Sequence, residues 1–329
     1  MVMKLKIQNR YKLPENTALH ETTNANVPLA HISRNGNIIT LGIFDDGELD
    51  KYCIISLSKN EIGYSILHCL GNVRVSKHHN PVLIAIDENC FGIIDNGDTL
   101  YIYEDFAAQP KILKINNHEI FSELKEVPRA NSLKAVGSMG NWLIIFADSV
   151  LVQNPRFIVE LKADNKDEYS WYNLFSLNHD DFPKSIYVPE FGSPTIGSSV
   201  IKNNRRLLFV EGSDSKSVNK WGMDYYSLIE VDNNGNILNK LYEVSGLKHL
   251  SGKHGVRCCF TSSKEYLILT PVFSSGEWKG KQKIFSLSDN TLIDVEMPRG
   301  TKGFKTIEHA NGNFYLSDFY TEIMVCTAV

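Results

Sequence analysis

Several things are scarce in this chain of 329 residues, and each scarcity excludes something. No stretch approaches the ~18–20 apolar residues of a membrane-spanning helix. The most apolar run, Trp142 to Val152, is broken by Asp148. The N-terminus, MVMKLKIQNRYKL, lacks the apolar core and small-residue cleavage site of a secretory signal. Cysteine occurs six times and never as Cys-x-x-Cys, so no zinc ribbon or redox pair is indicated. Cys53, Cys69, Cys90 and Cys326 sit inside apolar strand-like runs, where a thiol acts as a small hydrophobe. Adjacent Cys258 and Cys259 point to opposite faces of a strand. These features predict reduced thiols in a cytoplasmic protein away from membranes. There is no excess of positive charge: 34 Lys and Arg against 38 Asp and Glu give a net charge of −4. That argues against nucleic acid, because a basic face supplies most phosphate-backbone affinity. Lys77-His-His79, Lys202–Arg206 and Lys279–Lys283 are scattered turns, not a track. Gly-x-Ser-x-Gly and Gly-rich phosphate loops are missing, and no nucleophilic triad can be placed.

Helical periodicity is scarce too. It is clear once, in Asn117–Val127, where Ile120, Phe121, Leu124 and Val127 share a face, Asn117 could cap and Pro128 would stop the helix. Elsewhere the apolar runs are four to eight residues long, β-branched or aromatic, and punctuated by Gly, Asn, Asp or Pro, which is the pattern of strands.

The strands repeat. An alternating strand running into an Asx-rich turn recurs at Ile55–Asn60, Val159–Asn165, Ile229–Asn234 and Phe285–Asn290, with a weaker copy at Tyr101–Asp105. Another strand follows each copy. A hairpin precedes each, as in Val27–Ser33 with Asn37–Asp45, or Gly197–Asn203 with Arg205–Ser213. Its joints are tight, as at Asn35-Gly36, Asn203-Asn204 and Asn311-Gly312, where turn residues with φ > 0 are expected. The unit is therefore four strands, a-b-c-d. Its first strands begin near residues 27, 81, 133, 197, 256 and 304. The sixth unit lacks a fourth strand after Glu322–Val329, while Lys4–Leu13 has no unit of its own.

This pattern resembles a six-bladed β-propeller of four-stranded antiparallel blades. The resemblance covers the whole chain, residues 1–329, as one domain. Blades would span 27–70, 81–115, 133–177, 197–244, 256–297 and 304–329 plus 4–13. Strand 4–13 pairing with 322–329 would close the ring. The likeness is architectural only, because the Gly-His and Trp-Asp repeat signature and the sialidase Asp box are both missing. Two antiparallel sandwiches are the alternative fold. A seven-bladed ring would need a hairpin that the sequence does not contain.

In a propeller the d-a and b-c connections share one face. The d-a segments hold His20, His78, His79, His118, His179, His249 and His254. A His-lined face suits pH-sensitive binding, metal or acid–base work, although polar residues also simply gather in loops. Trp221 and Trp278 fall in b-c connections beside glycines, and Trp is enriched at binding hot spots. With no catalytic motif, the expectation is a non-catalytic protein-binding propeller with a protein partner and no cofactor. It would contact the partner through Trp221, Trp278, His78, His79, His118, His179 and His249. A compact acidic binder of this kind would suit an inhibitor or a toxin-neutralising, immunity-type protein.

Four matching positions before the first strands, Asn26, Asn80, Asn131 and His254, would lie at a channel mouth. Six-bladed lactonase-like enzymes place a metal at such a mouth. The resemblance thus implies an alternative, a lactonase- or esterase-like hydrolase using Ca²⁺ or another divalent metal. The set departs from that pattern because it has no carboxylate, which Ca²⁺ sites normally use. Asn before a strand is also a common turn former.

Overall fold

A computed structural model describes residues 1–20, 29–70, 81–85, 89–95, 99–104, 109–114, 133–138, 141–147, 155–163, 169–175, 195–212, 225–232, 236–244, 256–271 and 281–329. Among these residues it is all-β, with one 3-10 turn at His68–Leu70 and no α-helix. The expected helix at 117–127 lies outside the described residues.

The chain opens with β1 (Val2–Lys12) and β2 (Thr17–Leu19). It then runs through β3 (Ala30–Ile32), β4 (Ile38–Asp45), β5 (Asp50–Leu57) and β6 (Ile62–Ile66), the first group of four. The second group is β7 (Val82–Ala85), β8 (Cys90–Asp95), β9 (Thr99–Glu104) and β10 (Lys111–Lys114). The third is β11 (Leu133–Ser138), β12 (Asn141–Ala147), β13 (Pro155–Ala163) and β14 (Tyr169–Phe175). The fourth is β15 (Thr195–Lys202), β16 (Arg205–Gly212), β17 (Tyr225–Val231) and β18 (Ile237–Val244). The fifth is β19 (Val256–Phe260), β20 (Tyr266–Pro271), β21 (Gln282–Ser286) and β22 (Thr291–Glu296). Three strands end the chain: β23 (Lys305–Ala310), β24 (Asn313–Ser317) and β25 (Glu322–Ala328).

Every group is an antiparallel meander in chain order, the arrangement of a β-propeller. The first strands lie beside one another in sequence, β3 by β7, β7 by β11, β11 by β15 and β15 by β19, while β23 contacts both β20 and β3. The tight joints behave as expected: Asn203, Asn204, Asn311, Gly312 and Gly36 all have positive φ.

Period two explains the packing. Among the described side chains, those of β4, β5, β16, β17, β20 and β21 are mostly buried, and alternate residues serve different neighbours. Along β19–β21, Cys258, Phe260, Leu267, Leu269 and Phe285 pack toward the fourth group, whereas Cys259, Ile268 and Ile284 pack toward the last strands. Cys258 and Cys259 thus do face opposite ways. In the first group Ile38, Cys53, Ile55 and Leu57 meet β23–β25, and Ile39, Leu41, Tyr52 and Ile54 meet the second group. Each core is a thin seam between two sheets. Cys53, Cys258, Cys259 and Cys326 are buried in these seams, and Cys90 is buried on β8.

Two features depart from the simple repeat. β2, in a stretch expected to be a connection, pairs with Gly42–Phe44 of β4 and adds a fifth strand to the first sheet. The other concerns β1. Its Leu5–Lys12 pairs antiparallel with β25, and its Val2–Lys4 also pairs parallel with Asp294–Glu296 of β22. The fifth and last groups are therefore one eight-stranded sheet. A register shift between Ile7 and Asn9 interrupts the β1–β25 ladder. Without it, Leu5 and Tyr11, six residues apart, would share a face. With it, Leu5 enters the seam with β19–β22 and Tyr11 the seam with the first group.

Deleting residues 1–13 should lower the melting temperature by about 10 °C or more, because two seams lose an edge at once. A truncated chain that melts like the full one would show that β1 is an appendage. A second test is local. A Cβ on Gly42 would overlap Ile55 Cδ1 and lie 3.0 Å from the Ala18 carbonyl of β2. Gly42→Ala should cost about 1–3 kcal/mol in denaturant unfolding.

Candidate functional site

In each group the meander order puts the b-c connection at the end of the sheet opposite the a-b hairpin. The lengths of these connections differ. The connection is four residues between β4 and β5, three between β8 and β9, seven between β12 and β13 and four between β24 and β25. It is twelve between β16 and β17 and ten between β20 and β21. The two longest connections are the ones carrying Trp221 and Trp278. Both tryptophans lie outside the described residues, as do His78, His79, His118, His179, His249, His254, Asn26, Asn80 and Asn131. The strands that flank them are in place: Gly212 pairs with Tyr225 and Leu269 with Lys283.

His20 is the described member of the histidine set, and it is not a surface residue. It lies buried past the end of β2, edge-on to Tyr52 with ring centroids 5.1 Å apart.

On the described part of this end, the connection from β1 to β2 is tied between two b-c loops. Leu13 N–H donates to the Thr321 carbonyl (2.8 Å), Leu19 N–H to the Phe319 carbonyl (2.7 Å) and Asp45 N–H to the Asn16 carbonyl (2.9 Å). Asp318 organises the β24–β25 loop. Its carboxylate accepts the backbone N–H groups of Tyr320 (3.1 Å) and Thr321 (2.8 Å) and the Thr321 hydroxyl. Phe319 (φ +72°) turns inward and packs in the seam below. Tyr320 turns outward and is 70% exposed. Tyr320 is thus an exposed aromatic in a b-c connection, the type of connection that in sequence also carries Trp221 and Trp278. Its signal in sequence was the matching loop position, obscured because the loop is short.

A second polar group lies inside. β23 has a register shift between Thr306 and Glu308 that re-aims its side chains. Glu308 is fully buried. Its Oε1 accepts N–H bonds from Ser262 (2.9 Å) and His309 (2.7 Å), and its Oε2 pairs with the Ser262 hydroxyl (2.8 Å). Burial pushes this carboxyl up to about 8, against the lowering effect of those bonds. Beside it, His309 Nδ1 meets Ser263 Oγ at 2.8 Å and Glu265 at 3.5 Å. Its ring packs against Tyr266 and Phe314, and burial pushes it down to about 4. Nearby, Gln282 clamps the start of β23, donating to the Phe304 carbonyl (2.7 Å) and accepting from Thr306 N–H (2.8 Å). These side chains join β19–β22 to β23. Among the described residues, no group of three or more His, Cys, Asp or Glu could hold a metal ion. Among the same residues, no helix is long and apolar enough to cross a membrane.

No protein-family model matches the chain, and no curated protein matches it. Solved structures similar to it are propeller-type domains. A chain of the S. cerevisiae assembly of Dbp5 with Nup159, Gle1, IP6 and ADP is 9% identical, covering 99% of this chain and 95% of its own, with a TM-score of 0.46. The N-terminal domain of Nup159 is 11% identical, covering 99% and 96%, with a TM-score of 0.43. The WD40 domain of Toxoplasma gondii coronin is 9% identical, covering 100% and 89%, with a TM-score of 0.46.

Glu308→Ala would leave the Ser262 and His309 N–H groups without their acceptor. It should destabilise the protein by about 2 kcal/mol or more in chemical denaturation. A cost under about 0.5 kcal/mol would mean that water replaces the carboxyl freely.

Proposed function

We propose that this chain is a six-bladed β-propeller, closed by β1 against β25, that acts as a non-catalytic protein-binding scaffold. The six groups of strands and the contact of β23 with β3 support the ring. One observation carries the binding role. The b-c connections of the fourth and fifth groups are the longest of the six, and each holds a Gly-flanked tryptophan (Trp221 and Trp278) where three to seven residues suffice elsewhere. Extra connection length on a rigid scaffold is where specific contacts are built. Tyr320, exposed in the matching loop of the last group, extends the same face. His78, His79, His118, His179 and His249 belong to the d-a connections on that face. An inhibitor or toxin-neutralising protein is the kind of binder this surface would suit.

The test is a pull-down with full-length protein against its own cell extract. It should recover one stoichiometric partner that Trp221→Ala plus Trp278→Ala releases at least tenfold. Lys59→Ala, exposed in the turn between β5 and β6 at the opposite end, should retain it. Release by both variants, or by neither, overturns the assignment of the face. Stoichiometric divalent metal in the purified protein, together with a thermal shift on adding Ca²⁺, would favour the hydrolase with Asn26, Asn80, Asn131 and His254 instead.

A further inference from the structure

Glu308 is an expensive residue to keep where it is. An unpaired carboxylate in a dry seam costs several kcal/mol, whereas a hydrophobic residue there would cost nothing in desolvation. Its partners come from two different parts of the chain: Ser262, in the turn after β19, and His309, its own neighbour on β23. The same turn is held to β23 by a second bond, from Ser263 N–H to the His309 carbonyl (3.2 Å). We propose that Glu308 is a proton-linked clasp between the fifth and last groups of strands, closed while the carboxyl holds its proton and loosened when the proton leaves.

The hydrogen bonds suit both states, which makes the change reversible. In the protonated form Oε1 accepts the two N–H bonds, and the acid hydroxyl donates to Ser262 Oγ. In the ionised form the Ser262 hydroxyl turns round and donates to Oε2, so no bond is lost. The charge then sits in the seam, and among the described residues no cationic side chain compensates it. Water must enter to solvate the charge, and the place where it can enter is the contact between the 261–265 turn and β23.

The groups facing this point from each packed element do not supply the same response. On β23 itself, His309 is held neutral by burial down to about 4. On β24, Tyr315 is raised to about 12 by burial, with Glu308 and Tyr11 of β1 adding to the shift. On β20, Tyr266 is raised by burial and by Glu265 and Asp289. In the turn, burial lowers Lys264 below its ordinary value, and Glu265 is exposed. On β3, His31 packs against Phe91, in the seam beyond. Glu308 is left to titrate between the unfolded carboxyl value near 4.5 and about 8. Because the folded value is raised, the unfolded chain gives up this proton first. Stability from this group is complete below about 4.5, declines through the interval and is fully lost above about 8.

Glu308→Gln copies the protonated acid, with one acceptor and one donor in the same places. Melting temperatures of both proteins should be measured from pH 5 to pH 9. They should agree within about 2 °C at pH 5, and the wild type should fall about 4 °C or more below the variant at pH 9. Amide exchange of Ser262 and His309, corrected for intrinsic rate, should accelerate at least tenfold in the wild type between pH 6 and pH 9. Parallel melting profiles, or exchange that rises equally at all seams, would overturn the proposal. Should the variant not fold, the wild type alone decides the matter. A protonated-carboxyl infrared band present at pH 6 and lost by pH 9 supports the clasp, and its absence at pH 6 refutes it.

Discussion

Two-sided burial of central strands, seen in β4, β5, β20 and β21, is the constraint from which the described packing follows. In a sheet with one wet face, alternation spends half the residues on solvent. Here it divides them between two seams, so β4, β5, β20 and β21 are buried at most described positions, with polar Thr40, Thr270, Lys283 and Ser286 among the buried residues. Each seam is thin, and a large buried Ile, Leu or Phe contributes about 1.5–3 kcal/mol by leaving water. Stability is therefore distributed among contacts between neighbours. Such a chain can exceed the size at which a single core stops growing, because no thick core is ever assembled. The outer strands need only one dry face, and β6 and β18 are accordingly half polar.

Two-sided burial makes the meeting of the chain ends a problem of parity. β1 must serve the seam with β19–β22 near its start and the seam with the first group near its end. An unbroken strand puts Leu5 and Tyr11 on one side. The irregularity at Gln8 moves Tyr11 to the other, and Ile323 and Cys326 on β25 divide between the same two seams. Parallel pairing of Val2–Lys4 with β22 then sews the fifth group to the last along its outer edge. At the inner edge Glu308, Ser262 and Gln282 do the same through side chains. This junction is thus held by polar bonds at two depths.

Most strands were legible from the sequence because alternation, β-branching and Asn-Gly punctuation all point the same way there. The pairing of the N-terminal strand with 322–329 followed from a count of strands, one short at one end and one spare at the other. What was hidden is instructive. β2 is three residues long and shows no alternation, because its pairing is dictated by Gly42, where a larger residue would block its approach. His20 looked like a loop residue because it follows a stretch of Pro, Glu and Asn, yet it is buried against Tyr52. Glu308 and His309 occur in a strand that reads as amphipathic, Lys-Thr-Ile-Glu-His-Ala, and polarity normally signals solvent. A polar residue on a strand with no wet face instead signals a hydrogen-bonded junction, and only the neighbour across the seam, here Ser262, reveals it. The aromatic in the last b-c loop was legible by position but not by composition, since Tyr320 is exposed and Phe319 beside it is not.

The same constraint says where recognition can be built. A strand residue that turns to face a partner leaves a seam, and the neighbouring sheet loses its cover. Specific contacts are therefore driven out of the strands and into the connections, where length can change without disturbing the register of any ladder. Three or four residues are enough to join β8 to β9 or β24 to β25. Twelve and ten residues at the two tryptophan-bearing connections exceed what chain reversal requires. Surplus length and a large aromatic coincide in sequence at the same two places, and the binding role proposed above rests on that coincidence.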